Sequence, residues 1–235
     1  MFRTITIAVI GDSRARVIGE WGKNHPKYNV VYQFYRSSVK TVEFLQHFRY
    51  PHRIPVDTEV VIVNLLQCDF TYLDAARGAV PREYVNIPSL LIAMRQIQEA
   101  LRVMAPNVVV VWSVPIVPNL INDRSARSSM TLMAAGLRFL MTEMRSRGFL
   151  TFDLSLCFMA GERRVTYMNR YVPDSVHPNY PGISRLYSSM RRLLIKLRLV
   201  DIIIQRRNTV LPIEPLMIDD HVTAQQEDIL MELYQ

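Results

Sequence analysis

The sequence predicts an α/β protein, a three-layer α/β/α domain built on a central parallel sheet of about five strands. Short apolar runs rich in valine and isoleucine alternate along the chain with longer segments of helical periodicity. The runs are apolar at successive positions, which is typical of strands buried on both faces of a sheet. Parallel strands need crossover connections, so helices are expected to cover both faces.

Five segments are predicted to form the strands of this sheet. Each combines β-branched residues with little charge, the composition that favours a buried strand. In chain order they are TITIAVI (4–10), YNVVYQF (28–34), TEVVIVNLL (58–66), NVVVVWSV (107–114) and FLTFDL (149–154).

Helical segments fill the intervals between these strands. Pro88 is placed where a first helical turn tolerates proline, and Gly148 marks a helix end. The predicted helices are ARVIGEWG after the GDS turn, VKTVEFLQHF (39–48), and residues 87–105, 125–148 and 183–200.

The composition predicts a soluble, intracellular protein with a substantial core. The 235 residues are 49% hydrophobic and 21% charged, which excludes a disordered chain. Two cysteines, Cys68 and Cys157, form neither a disulfide framework nor a metal-type Cys/His spacing, so free thiols and no metal site are expected. No signal-peptide cleavage site follows the start, and no apolar run reaches the length of a membrane span.

Charge is distributed unevenly along the chain. The net charge is +7, but six of the 21 acidic residues and none of the 28 basic residues follow Arg207, so residues 1–207 carry 28 basic and 15 acidic residues. We therefore divide the chain into a domain at 1–207 and an acidic tail at 208–235. The last part of the tail has the pattern of a short amphipathic helix, which suggests a protein partner, while the basic domain attracts polyanions.

The candidate catalytic residues lie in two short polar clusters. Ser13 lies in a GDS turn between the first strand and the first helix, and His177 follows Asp174 by three residues in VPDSVHPNYPG. A serine hydroxyl needs an imidazole to accept its proton, and the imidazole needs an acceptor that fixes its tautomer. If the loop of His177 lies beside the end of the first strand, these three side chains form one reactive site.

The two motifs, in this order at opposite ends of an α/β pattern, resemble those of the SGNH (GDSL) hydrolases. The resemblance covers about residues 4–198 and includes Gly182, five residues after the histidine. It implies a flavodoxin-like fold, with Ser13 as nucleophile, His177 as general base and Asp174 orienting the imidazole. It also implies a small ester or acyl substrate and no cofactor or metal. The family includes esterase domains carried by retrotransposons and members that have lost catalysis and bind RNA.

The sequence departs from this family at the oxyanion donors. The family takes donors from a glycine after the second strand and an asparagine in a Gly-x-Asn-Asp stretch after the third. Here Ser37 or Ser38 falls at the glycine, and no Gly-x-Asn-Asp follows the third strand, where Asn64 and Gln67 are the nearest amides. The oxyanion candidates are therefore the Ser13 N–H, Asn64, Ser37 and Ser38.

Alternative interpretations remain open for the same residues. Ser13 is also suited to cap the following helix, and His177 to order a loop. Arginines among tyrosines suit RNA binding by an inactive domain, and arginines beside the serine suit an anionic substrate equally well. A third alternative is a scaffold whose terminal helix docks on another protein. The RNA-binding candidates are Arg14, Arg16, Arg185, Arg191, Arg192, Lys196 and Arg198.

Overall fold

A five-stranded parallel sheet forms the centre of the protein. The computed structural model describes residues 5–23, 28–48, 53–76, 78–118, 126–153, 171–172, 177–189 and 192. The strands of the protein are β1 (Ile5–Gly11), β2 (Tyr28–Tyr35), β3 (Val60–Asn64), β4 (Thr71–Asp74), β5 (Gly78–Pro81), β6 (Val109–Val114) and β7 (Leu150–Asp153). The helices are α1 (Ser13–Lys23), α2 (Thr41–Phe48), α3 (Gln67–Phe70), α4 (Ile87–Met104) and α5 (Ala126–Ser146), and residues 180–189 are also helical.

The strand order of the sheet is β2-β1-β3-β6-β7, and every neighbouring pair is parallel. From β1 the chain passes outward to β2 and then returns across β1 to form β3. The order therefore reverses between β1 and β3. In open α/β sheets, ligands bind at the carboxyl ends of the strands beside such a reversal.

Side chains of successive strand residues point to opposite faces, and each face has its own core. On one face, Val9 and Ile62 pack with Ile18 of α1 and with Leu186 of the 180–189 helix. On the other, the core includes residues from α2, α4 and α5 packed against the odd-numbered residues of β3. The prediction of a three-layer α/β/α architecture is confirmed.

The five predicted strands all form, with ends that differ from the prediction by at most a few residues. The antiparallel pair of β4 and β5 was not predicted, because four-residue strands give too short a pattern to recognise. The last helix begins at residue 180, three residues before its predicted start, and its predicted end at 200 lies outside the described residues. The predicted tail at 208–235 lies outside them as well.

Helices long and apolar enough to cross a membrane are absent from the described part of the chain.

Candidate active site

The turn that carries Ser13 is fixed by close contact between β1 and β3. Gly11 ends β1 with φ 142°, and a Cβ atom at this position would collide with the backbone carbonyl of Asn64. The next N–H group, that of Asp12, donates to the same carbonyl at 2.8 Å. Only glycine permits this approach, so the first residue of the GDS motif brings the chain over β3 and places Ser13 at the start of α1.

Asp12, and not Ser13, caps α1. The Asp12 carboxylate accepts the Arg14 N–H at 2.9 Å, and its carbonyl accepts the Ala15 N–H at 3.0 Å. The carboxylate also receives Arg14 Nε at 3.2 Å and Nη2 at 2.8 Å in a two-pronged ion pair. Since Asp12 supplies the cap, the Ser13 hydroxyl remains available for another partner.

That partner is His177. Ser13 Oγ lies 2.7 Å from His177 Nε2, although 164 positions separate the two residues in the chain. The structure thus brings the GDS turn and the late histidine together at the carboxyl edge of the sheet. Asp174, the third predicted member of the site, lies outside the described residues.

Local contacts explain how the segment after His177 is held. The Asn179 N–H donates to the carbonyl of Tyr171 at 2.9 Å, and the Asn179 side chain accepts the Gly182 N–H at 3.0 Å at the start of the 180–189 helix. A Cβ atom on Gly182 would collide with the Tyr171 carbonyl. Asn179 is therefore the helix cap that follows His177, which gives the HPN sequence a structural reason.

A buried hydrogen bond joins the two helices next to these motifs. The Tyr187 hydroxyl, on the 180–189 helix, donates to the carbonyl of Ile18 on α1 at 2.6 Å. Gly22 leaves room for this hydroxyl, because a Cβ atom there would collide with it. The helix after His177 is thus fixed to the helix that begins at Ser13.

Comparison with solved structures identifies the architecture. The chain has the fold of the GDSL hydrolases. A GDSL-like lipase from Bacteroides thetaiotaomicron VPI-5482 matches at 14% identity and TM-score 0.54, covering 82% of this chain and 88% of that one. A protein of Bacteroides fragilis NCTC 9343 described as an acylhydrolase matches at 15% and 0.54, covering 82% and 87%.

A protein from Streptococcus pneumonia described as a platelet activating factor matches at 12% identity and TM-score 0.58, covering 82% of this chain and 85% of that one. No family model and no curated protein matches the sequence. At such low identity the likeness concerns the hydrolase fold, and the chemistry has to be argued from the residues.

The predicted oxyanion candidates lie in different surroundings. Asn64 has no exposed surface, and neither polar atom of its side chain has a hydrogen-bond partner. A fully buried side chain does not reach a bound substrate, so Asn64 is removed from the candidates. Ser37 and Ser38 are exposed beyond the end of β2, and Ser38 adopts a left-handed conformation with φ 57°. A left-handed conformation favours glycine, the residue that the GDSL hydrolase resemblance predicts at Ser37 or Ser38.

The segment after β3 shows a correspondence that the sequence analysis missed. Leu66 has φ 72°, and Asp69 is buried three residues later. With Leu66 at the glycine and Asp69 at the aspartate, the Gly-x-Asn-Asp stretch becomes Leu66-Gln67-Cys68-Asp69. By this spacing Cys68, which is half-buried, corresponds to the asparagine of that stretch. Only Asp69 matches the pattern in the sequence, because a leucine and a cysteine stand at the positions of its glycine and asparagine.

Burial changes the protonation of this segment. It raises the pKa of the Cys68 thiol to about 12, with Asp12 adding to the rise, so the side chain is a neutral thiol at pH 7. Burial also raises the pKa of Asp69 to about 6. Two hydrogen bonds limit the rise in the Asp69 pKa. Asp69 Oδ2 accepts the Thr41 hydroxyl at 2.6 Å and the Thr41 N–H at 3.1 Å.

The basic residues proposed for RNA binding differ in their exposure. Arg14 is fully buried, and its donors are used inside the protein, which corrects the expectation that it meets RNA or an anionic substrate. Arg16 is exposed, 5.9 Å from the centre of the Tyr35 ring. Arg185 is half-buried with its guanidinium 5.3 Å from the Tyr171 ring, and Arg192 is exposed. The candidates outside the described residues are Arg191, Lys196 and Arg198.

The described residues contain no group of three His, Cys, Asp or Glu side chains placed to hold a metal ion.

We expect the Asp69 carboxyl to make the protein less stable at neutral pH than under mildly acidic conditions. Its pKa of about 6 lies above the ordinary 3.8, so the folded state binds this proton more tightly than the unfolded chain. The free energy of unfolding therefore falls as the pH rises from about 4 to about 6. An upper limit is about 3 kcal/mol, since each pKa unit corresponds to about 1.4 kcal/mol. Urea denaturation of wild type and Asp69→Asn across this range measures the difference.

The matched control is Asp57→Asn, at an exposed turn before β3. Because this variant keeps the Asp69 carboxyl, its free energy of unfolding should fall across the pH range as that of the wild type does. An Asp69→Asn protein whose free energy of unfolding falls to the same extent would contradict the assignment.

Proposed function

We propose that this protein is a serine esterase or acyl hydrolase that acts through a Ser–His–Asp triad. The observation that carries the proposal is the 2.7 Å separation of Ser13 Oγ and His177 Nε2. This contact is the one that proton transfer from nucleophile to base requires. The GDSL hydrolase fold supports the same chemistry, because a GDSL-like lipase and a protein described as an acylhydrolase share it.

In the proposed reaction His177 Nε2 accepts the hydroxyl proton while Ser13 Oγ attacks the acyl carbon. The tetrahedral intermediate then expels the alcohol, which takes the proton from the imidazolium. Water hydrolyses the acyl-enzyme by the same two proton transfers. The Asp-x-x-His spacing assigns Asp174 the task of holding the second ring N–H of His177.

Negative charge that develops on the carbonyl oxygen needs donors near Ser13. The Ser13 N–H belongs to the first turn of α1, where N–H groups lack intrahelical partners and the helix dipole favours an anion. The backbone after β2 at Ser37 and Ser38 is the second candidate. Cys68 is the third, and a thiol is a weaker donor than an amide.

An inactive domain that binds RNA or a protein through a basic surface is the alternative. That function has no need of a hydroxyl within hydrogen-bond distance of an imidazole, whereas the esterase does. Arg14, one of the seven basic residues assigned to that alternative, is buried. The contacts of the described residues therefore favour the esterase.

Replacing Ser13 by alanine is expected to abolish both esterase activity and covalent labelling. Without Oγ no acyl or phosphonyl bond forms, so p-nitrophenyl acetate hydrolysis should fall to the uncatalysed rate. Loss of a triad nucleophile lowers turnover by about 10⁴-fold or more in serine hydrolases. Intact-mass detection of a fluorophosphonate adduct gives a second measurement that is insensitive to trace contaminants.

Ser128→Ala, at an exposed position of α5, provides the matched control and should label like wild type. His177→Gln should label at least about 100-fold more slowly, because the base is gone. Equal labelling of wild type and Ser13→Ala would refute the proposal.

Replacing Cys68 by asparagine is expected to raise turnover. If Cys68 stands where the family has its amide donor, asparagine supplies a stronger hydrogen bond to the oxyanion. A single oxyanion donor is worth about 100- to 1000-fold in kcat, so a gain of about 10-fold or more is expected from steady-state kinetics. Cys68→Ala, which supplies no donor, should not show the gain. If asparagine and alanine have the same kcat, Cys68 does not face the oxyanion.

A further inference from the structure

We infer that Arg14 and Gln67 are positioning residues that hold the Ser13 turn and the Cys68 segment in fixed relation to each other. The inference rests on the proposed esterase function, because it assigns these two segments the nucleophile and an oxyanion donor. Neither Arg14 nor Gln67 is assigned contact with the substrate. Both side chains are buried, so they act through their neighbours in the chain.

Arg14 connects the ends of two strands through its guanidinium. Beyond the ion pair with Asp12, Nη2 donates to the carbonyl of Leu65 at 3.0 Å and Nη1 donates to Gln67 Oε1 at 3.0 Å. Asp12 follows β1, whereas Leu65 and Gln67 follow β3. The planar guanidinium presents its N–H groups in a rigid fork, a geometry that lysine does not reproduce.

Gln67 extends the connection to a third strand. Its Oε1 accepts the Ile116 N–H at 3.0 Å as well as the Arg14 donor, and its Nε2 donates to the Ile116 carbonyl at 3.0 Å. Ile116 follows β6. The Gln67 carbonyl also accepts the Thr71 hydroxyl at 2.8 Å, which closes α3. One glutamine thus holds the segments after β3 and β6 together.

Thermodynamic stability alone gives no reason for a charged group at this position. Burying an ion pair costs desolvation energy, and hydrophobic residues of similar volume are often equally or more stabilising. The charged network instead fixes the relative orientation of the segments that it joins, because each hydrogen bond restricts an angle as well as a distance. Ser13 lies between Asp12 and Arg14 in the chain, and Cys68 is the next residue after Gln67. The network therefore sets the separation of the two groups that the proposed reaction needs together.

The experiment compares Gln67→Met and Arg14→Lys with matched controls. Gln98→Met removes another glutamine acceptor, the one that receives Trp112 Nε1–H at 3.2 Å, away from Ser13. Arg102→Lys is an exposed arginine change on α4. Steady-state kinetics should show kcat lowered by about 10- to 100-fold in Gln67→Met and Arg14→Lys, with KM within about 3-fold, because misplacement by about 1 Å costs about 100-fold. The controls should keep the wild-type kcat.

A double-mutant cycle separates positioning from general destabilisation. Because Arg14 and Gln67 share a hydrogen bond, the double variant should lose less kcat than the two single losses combined. Arg14→Lys combined with Gln98→Met should show additive effects. A Gln67→Met protein with wild-type kcat, or with additive losses in the cycle, would overturn the inference.

A second readout is independent of catalysis. The rate of Cys68 modification by a thiol reagent, followed on its peptide by mass spectrometry, should rise about 10-fold or more in Gln67→Met and in Arg14→Lys but not in Gln98→Met. If wild type neither hydrolyses esters nor labels at Ser13, the proposed function fails. In that case the rate of Cys68 modification still tests whether Arg14 and Gln67 hold the two segments in place. An unchanged rate in the variants would overturn that part of the inference.

Discussion

The contact between the Arg14 guanidinium and the Asp12 carboxylate is the interaction on which the rest of the site depends. Both groups are almost wholly buried, at 0% and 1% exposure, at the edge where β1, β3 and β6 end. A charge in such surroundings is tolerated only with complete pairing, and here the pairing extends to Leu65 and Gln67. The geometry of the Ser13 turn is therefore a consequence of satisfying Asp12 and Arg14.

Two left-handed residues show where this protein differs from the pattern of GDSL hydrolases. Ser38 and Leu66 have positive φ angles although neither is glycine. For residues with a Cβ atom this conformation costs about 1–2 kcal/mol. The backbone after β2 and after β3 thus takes a left-handed turn at a residue that carries a Cβ atom. Leu66 is fully buried, so packing of its side chain offsets part of the cost.

The sequence was sufficient for the fold and for the meeting of Ser13 with His177, for different reasons. The five strands and their parallel arrangement followed from short apolar runs rich in β-branched residues, as in VVIVN of β3. The meeting of Ser13 and His177 followed from motif order on a sheet whose carboxyl ends share one edge. The short strands β4 and β5 gave no comparable signal.

The errors in predicting the site have one physical cause. The type of a residue does not determine whether its side chain is buried. Arg14 was expected at the surface because arginine usually is, yet its neighbour Asp12 and its position after Gly11 direct it inward. Asn64 was chosen as the nearest amide, but as the last residue of β3 it is enclosed by the sheet. Cys68 was not considered as a donor because it is not an amide, and Asp69 is the only residue of the segment that the sequence shares with the Gly-x-Asn-Asp pattern.

The protonation of that segment bears on what the site is able to stabilise. A thiolate at Cys68 would repel an oxyanion, but burial raises the pKa of Cys68 to about 12 and keeps it neutral. Asp69 carries charge at pH 7, and its Oδ2 accepts hydrogen bonds from Thr41. The amino end of α1 then contributes the favourable field at Ser13 itself. In the proposed reaction the amino end of α1 stabilises the developing negative charge, and the neutral Cys68 thiol is a weak donor beside it.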